Sequence, residues 1–309
     1  MIEVQGLKKR FGSLEAVRRV DLQVGKGECF GLIGPNGAGK TTTLKVLATL
    51  VKPDEGFATI EGVNVAEQPR LVRSIVGYMP DIFQSYGDMT VLHYLDYYAA
   101  LVGLKGASRV KHVDEVLELV DLGPKREALV GGLSRGVKQR LCLAKTLLHE
   151  PKVLLLDEPA SGLDPRARIE IRMLLKELRR MGKTIVISSH ILEDLEEICD
   201  RIAVIEQGTV VVSGEVAELK RQLFKTRRYA IETKDDPQKV IDLLVSHPEA
   251  AKEPVIEGKL IHFQPANEGE DGSRVLRLLL DAGIALRAFR EEEAALAEVF
   301  LELTRGEVS

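Results

Sequence analysis

Gly34-Pro35-Asn36-Gly37-Ala38-Gly39-Lys40-Thr41 satisfies the pattern G-x-x-x-x-G-K-[ST] at every fixed position. The apolar run before it, Cys29-Phe30-Gly31-Leu32-Ile33, reads as a buried strand, and Thr42-Thr43-Leu44-Lys45-Val46-Leu47 after it as the start of a helix. Glycines let backbone N–H groups turn inward on a phosphate chain, and the new helix points the positive end of its dipole at the same place. Lys40 adds a point charge for the β- and γ-phosphates, and the Thr41 hydroxyl is a ligand for Mg²⁺. A bare strand-to-helix turn would need neither the lysine nor the threonine. The stretch from Gly34 to Thr42 therefore predicts a nucleoside-triphosphate site.

Chemistry for such a site follows downstream. Val153-Leu154-Leu155-Leu156-Asp157-Glu158 is a continuous apolar strand ending in two acids. Strands of this kind are buried in parallel sheets, whose ligands bind at the carboxyl ends. After a phosphate loop, Asp157 is placed to hold Mg²⁺ through water and Glu158 to orient or deprotonate an attacking water. Ser161-Gly162-Leu163-Asp164-Pro165 is a turn before a helix with Ile171, Leu174, Leu175 and Leu178 on one face. The strand Thr184-Ile185-Val186-Ile187-Ser188 then delivers Ser189 and His190 to the same strand-end side, where His190 is placed as a γ-phosphate sensor, the alternative being a structural or merely exposed histidine.

Two other stretches are open to two readings each. Gly132-Leu133-Ser134-Arg135-Gly136-Val137-Lys138-Gln139-Arg140 is a loop running into a helix with Val137, Leu141, Ala144 and Leu148 on one stripe. There Ser134 and Gly136 offer a hydroxyl and open backbone donors, as a second phosphate site or as an ordinary helix cap. Phe11 stands on the turn of a hairpin read over residues 2–24, and its ring is placed either to stack on a base or to make a plain hydrophobic contact.

Composition bounds the rest. The chain has 309 residues, 45% hydrophobic and 29% charged, which suits a soluble globular protein with one large and one small domain. A net charge of −4 without a basic stripe gives no case for a nucleic-acid partner. Cys29, Cys142 and Cys199 lie far apart in apolar settings and read as small core residues in a reducing compartment. Met1-Ile2-Glu3-Val4 runs into a strand pattern rather than a signal peptide. No apolar run reaches the ~18 residues of a membrane span, so any service to a membrane requires another chain to cross it.

Residues 70–121 are mostly helical in pattern, with Val113, Val116, Leu117 and Val120 on one face. Tyr78, Tyr86, Tyr94, Tyr97 and Tyr98 fall in that region, either as a recognition surface or as the core of a helical subdomain. A short strand at 57–60 adds to an antiparallel sheet, and strands at 202–206 and 209–213 flank a turn at Gln207-Gly208. The basic stretch Lys220, Arg221, Lys225, Arg227 and Arg228 suits a lipid or partner contact, or a solvated linker face. Beyond it the pattern is strand 228–233, helix 238–246, hairpin 254–264, helix 273–282, strand 285–290 and helix 294–303. That is a separate α+β domain of about 80 residues without a catalytic constellation.

Taken in order, these elements resemble the ATP-binding subunits of ABC transporters over about residues 1–220. The likeness rests on the phosphate loop, Leu133-Ser134-Arg135-Gly136, Leu154-Leu155-Leu156-Asp157-Glu158, Ser161-Gly162-Leu163-Asp164 and His190. It is nearest to drug- and small-molecule-exporter ATPases encoded apart from their permease, as the ending Glu298-Val299-Phe300-Leu301-Glu302-Leu303 suggests. The resemblance implies an α/β fold: a P-loop NTPase core with an antiparallel β-subdomain and a helical subdomain near 80–150, followed by a small α+β C-terminal domain over 226–309. It implies an ATPase using ATP and Mg²⁺, with Lys40, Glu158 and His190 catalytic, Glu158 as general base and His190 on the γ-phosphate. Thr41, Asp157 and Asp81 would serve the metal, and Phe11 would stack on adenine. Two copies would enclose two ATP molecules head to tail, with Ser134 and Gly136 reaching the γ-phosphate in trans and Asp164 tying the two sites together. The tyrosine-rich region would receive permease helices at the cytoplasmic face of the membrane.

The chain departs from the family pattern where the signature commonly has a second glycine and a glutamine, here Arg135 and Val137. It departs again in Gly77-Tyr78-Met79-Pro80-Asp81, which commonly ends in glutamine. Asp81 is shorter and charged but can ligate Mg²⁺ through water, and Gln84 is an alternative substitute. Two further classes compete. A soluble ABC-type ATPase acting on nucleic acid or ribosomes would carry tandem domains or coiled-coil insertions, and neither is present. A nucleotide-gated regulator would not need a base at Glu158.

Overall fold

Strands with no polar face must be covered on both sides, and such strands form the centre of this chain. The computed structural model describes residues 1–83, 87–223, 228–267 and 270–292, side chains of 220–223 excepted. Contacts divide the chain into a unit over Met1–Val216 and a second from Ala217 onward.

The first unit opens with the hairpin β1 (Ile2–Phe11) and β2 (Leu14–Val24). Next come β3 (Cys29–Ile33), α1 (Lys40–Leu47), β4 (Glu55–Ile60), β5 (Val63–Asn64), α2 (Pro69–Ile75) and β6 (Val76–Met79). The helices α3 (Val91–Leu101), α4 (Gly106–Leu119) and α5 (Arg135–Leu147) follow. Last are β7 (Val153–Asp157), α6 (Pro165–Arg180), β8 (Thr184–Ser189), α7 (Leu192–Glu196), β9 (Arg201–Glu206) and β10 (Thr209–Glu215); α8 (Val216–Leu223) runs on from β10, and all but its first residue belongs to the second unit.

The strands form one sheet in the order β5-β4-β1-β2-β10-β9-β3-β8-β7-β6. From β9 to β6 the neighbours are parallel, whereas β1, β2, β4 and β5 pair antiparallel. The two regions join where β10 pairs with β2 at Thr209 and Arg19. Register places Ile33 beside Ser189 and Asp157 beside Ser188. The carboxyl ends of β3, β7 and β8 therefore finish level with one another, where an open α/β sheet offers its binding crevice. α6 buries Ala167, Ile171, Leu174, Leu175 and Leu178, the face its 3.6-residue period predicts.

Two findings depart from the sequence reading. Residues 76–79, inside a region read as mostly helical, are the edge strand β6 paired with β7. Gly77 allows it, because a Cβ there would come within 2.8 Å of the Thr146 carbonyl oxygen on α5. The cysteines read as separate core residues include a pair: Cys29 and Cys199, both buried, bring their Sγ atoms to 3.7 Å.

The second unit continues through β11 (Arg228–Thr233), α9 (Pro237–Val245), β12 (Ala251–Glu257), β13 (Leu260–Pro265), α10 (Ser273–Asp281) and β14 (Leu286–Glu292). Its antiparallel sheet has the order β12-β13-β11-β14, the split βαβ arrangement. Tyr229, Ile231, Ile261 and Phe263 of the sheet pack with Val240, Leu244, Val275 and Leu279 of the helices. Gln84, Tyr86, the helix expected at 294–303 and the side chains of 220–227 lie outside the described residues.

Candidate functional site

The glycines of the Gly34–Thr41 loop answer to what passes beside them. A Cβ on Gly34 would collide with the Ile205 carbonyl oxygen of β9. Gly39 has φ 105°, and a Cβ there would lie 2.6 Å from the Ala16 carbonyl oxygen of β2. Gly39 occupies the N-cap of α1 with no side chain capping it, so the first amides of the helix have no intrahelical acceptor and point into the loop. That arrangement fits an anion.

Lys40 is buried, and its Nζ donates to the Gly34 carbonyl at 2.6 Å and the Pro35 carbonyl at 3.2 Å. It also lies 3.5 Å from Glu158 Oε1. Glu158 Oε2 accepts from His190 Nδ1 at 2.7 Å, in the tautomer that a carboxylate partner selects. Glu158 is thus held between a lysine from the start of α1 and a histidine just past the end of β8. Its backbone takes φ 50°, a left-handed conformation that costs a non-glycine residue about 1–2 kcal/mol. The turn survives because Glu158 N–H donates to both the carbonyl and the hydroxyl oxygen of Ser188, at 3.2 Å and 3.0 Å.

Asp157 is buried, and its Oδ1 accepts from Thr41 Oγ1 at 2.9 Å and from Ser188 Oγ at 2.6 Å. Tyr78 Oη is 3.5 Å from Oδ2, and burial first, then the Asp157 charge, pushes the Tyr78 phenol well above its usual range. Asp81 follows β6 and joins the same field. Partial burial, then the charges of Asp157 and Glu158, raise its carboxyl above the usual range, while Arg135 and His190 pull it back. Three carboxylates against one buried ammonium leave the site short of positive charge.

Oxygen donors from Thr41, Asp157 and Asp81 suit Mg²⁺. Among the described residues no group of three or more His, Cys, Asp or Glu side chains forms a ready metal cage. Mg²⁺ fits that arrangement, since it is normally held by one or two carboxylates together with substrate phosphates and water.

The other expected site residues are not bonded into this cluster. Among the described residues, no hydrogen bond or ion pair joins Ser134, Gly136 or Asp164 to the phosphate loop. Ser134 is exposed at the N-cap of α5, yet its side chain caps nothing. Gly136 is buried, and a Cβ there would lie 2.8 Å from Ala167 Cβ, so glycine is also what lets α5 approach α6. Asp164 caps α6 by accepting from Ala167 N–H at 3.0 Å. The Arg135 guanidinium rests where a Cβ on Gly162 would be, so it lies against the turn that precedes Asp164. Phe11 is half exposed at the end of β1, with Lys9 Nζ 5.4 Å from its ring centroid, and is not a core contact.

The tyrosines divide. Tyr94 is buried in α3 against Phe83 and Tyr98, Tyr97 is exposed, and Tyr78 belongs to the carboxylate cluster. Ser188 and Tyr78 are the site members that pattern reading passed over. The available signal was a hydroxyl directly after the apolar run Ile185-Val186-Ile187, but only the pairing of β8 with β7 shows which acid it meets.

Comparison with known proteins agrees with this geometry. The ABC transporter family profile matches residues 17–161, and that of the C-terminal domain of DrrA1-3-like ATP-binding proteins matches residues 214–304. The chain is 33% identical to an uncharacterised ABC transporter ATP-binding protein, YxlF of Bacillus subtilis, over 99% of this chain and 100% of that one. It is 42% identical to the Nod factor export ATP-binding protein I of Burkholderia lata, over 69% of this chain and 70% of that one. A solved ATP-binding subunit of an ABC transporter superposes with TM-score 0.64 at 30% identity, covering 72% of this chain and 93% of that one. A dimeric bacterial ABC transporter cassette does so with TM-score 0.64 at 26% identity, over 70% of this chain and 99% of that one.

Proposed function

This chain belongs to the ABC transporter ATP-binding proteins, and from that premise we propose that it powers export of a small molecule through a separate membrane-spanning permease. Two copies would close head to tail over two ATP molecules, and hydrolysis would reopen them. The observation that carries the proposal is the convergence on Glu158: Lys40 at 3.5 Å from one oxygen and His190 at 2.7 Å from the other. A base held between a phosphate-binding lysine and a histidine suits hydrolysis of a terminal phosphate.

In this reading Lys40 turns from the loop carbonyls to the β- and γ-phosphates, beside the free amides of α1. Thr41 and Asp157, with Asp81 beside them, would hold Mg²⁺. The bound ion would neutralise phosphate charge in a site otherwise rich in carboxylates. Glu158 would accept a proton from the attacking water, and His190 would turn its N–H from Glu158 to donate to the γ-phosphate. Phe11 would face the adenine.

Support for the dimer comes from Ser134, a residue at a helix N-cap whose side chain caps nothing. Such a group is available to the γ-phosphate held by a second copy, with Asp164 close to the same boundary. Support for export comes from relatives named for it, the Nod factor export proteins and a probable multidrug ABC transporter ATP-binding protein of Escherichia coli. Among the described residues no helix is long and apolar enough to cross a membrane. In the proposal the permease is another chain, and this subunit binds it at the cytoplasmic face of the membrane.

The proposal is tested by affinity purification from detergent-solubilised membranes of the source cells. Recovery of a multi-span membrane protein in stoichiometric amount is the expected result. Recovery of ribosomes or nucleic acid in its place would overturn the transport assignment.

A further inference from the structure

Ser188 stands where the two acids of the site meet. It is fully buried near the end of β8, register partner of Asp157 on β7. Its hydroxyl faces both neighbours at once: Oγ–H donates to Asp157 Oδ1 at 2.6 Å, and Oγ accepts from Glu158 N–H at 3.0 Å. One oxygen atom therefore sets the orientation of the Asp157 carboxylate and pins the left-handed turn from which the Glu158 side chain departs. The three residues before it, Ile185, Val186 and Ile187, are apolar and buried, so Ser188 is the point where β8 turns from packing to polar contact.

We propose that Ser188 is a positioning residue for ATP hydrolysis, fixing the Asp157 carboxylate relative to the Glu158 base. This rests on the reading of Asp157 as a metal-holding group and Glu158 as the base. Ser188 then stands to Asp157 as an outer partner stands to a metal-ligating carboxylate, and Oδ1 carries both hydroxyl donors, Ser188 and Thr41.

The test compares Ser188→Ala with Ser188→Thr in the full chain. Steady-state hydrolysis is one readout, and Mn²⁺ binding to the ADP complex, followed by electron paramagnetic resonance, is the other. Ser188→Ala is expected to lower kcat about 10- to 100-fold with little change in KM for ATP, and to weaken Mn²⁺ binding by a comparable factor. Ser188→Thr, which keeps the hydroxyl, is expected to restore both. The fold should survive the alanine, because Glu158 N–H retains the Ser188 carbonyl at 3.2 Å.

Parental kcat and Mn²⁺ affinity in the alanine variant would overturn the proposal. So would a threonine variant as impaired as the alanine one, or an alanine variant that fails to fold beside an unaffected threonine variant, which would assign the hydroxyl to stability alone. The underlying site reading fails separately: parental hydrolysis by Glu158→Gln removes the base assignment whatever the Ser188 variants do.

Discussion

Replacing Glu158 by glutamine exchanges one oxygen for an amide and keeps the side chain's shape, so it separates charge from packing. The side chain is one-tenth exposed and meets Lys40 and His190 on its two oxygens. The backbone contacts to Ser188 do not involve it, and the φ of 50° is as accessible to glutamine as to glutamate. Lys40 keeps the Gly34 and Pro35 carbonyls, so the phosphate loop should hold its form and ATP should still bind. The amide oxygen can still accept from His190, so the hydrogen bond loses its charge assistance, about 1 kcal/mol of stability. Removing one of three neighbouring carboxylates offsets part of that loss, since Glu158, after burial and the Asp157 charge, helps raise the Asp81 carboxyl. The large effect falls on the rate. A general base contributes roughly 10²–10⁴-fold, which is about 2.7–5.4 kcal/mol of barrier. Phosphate release at saturating ATP and Mg²⁺ measures that loss, equilibrium ATP binding checks that the site is intact, and light scattering detects the closed dimer that slow turnover should accumulate. Hydrolysis at the parental rate would refute the assignment, and loss of ATP binding would show that Glu158 acts by holding Lys40 instead.

Three further outcomes follow from the same geometry. Lys40→Ala should abolish ATP binding measured by equilibrium titration, and unchanged affinity would remove the phosphate-loop reading. Asp81→Asn should slow Mg²⁺-dependent hydrolysis yet stabilise the ligand-free chain at neutral pH. Its carboxyl is raised in the fold, so ionisation weakens the native state above the unfolded pKa, and that penalty fades as pH falls through the folded pKa. Denaturant titrations should therefore show the gain shrinking as the solution is acidified, and a variant less stable at neutral pH would contradict the argument. Gly136→Ala should lower thermal stability by about 1–3 kcal/mol through overpacking against Ala167, less what alanine gains in helix propensity. An unchanged melting temperature would return Gly136 to a purely ligand-facing role.

Most of the first unit's elements are legible along the chain because their signals are local. β7 and β8 read as buried strands from unbroken apolar runs, and α6 from its 3.6-residue stripe. The edge strand β6 was not, since four residues with one glycine give no periodicity, and its strand form depends on pairing with β7. The thiol contact between Cys29 and Cys199 was hidden for the same reason, being made by residues 170 positions apart. Within the candidate site, Lys40 is legible from the glycine loop that precedes it, and Asp157, Glu158 and His190 because each stands at the end of an apolar strand.

The order of residues alone determined the chemistry: a phosphate loop, two acids closing an apolar strand and a histidine closing another are local features that need no partner to be recognised. Tertiary structure decided how those groups meet. Parallel pairing in the order β3-β8-β7-β6 brings three strand ends level and places Glu158 between Lys40 and His190. It also turns Ser188 from a strand residue into the link between the acids, and Gly136 into a packing contact with α6. Register across a sheet and close approach between helices join residues distant in sequence, and no local pattern encodes them.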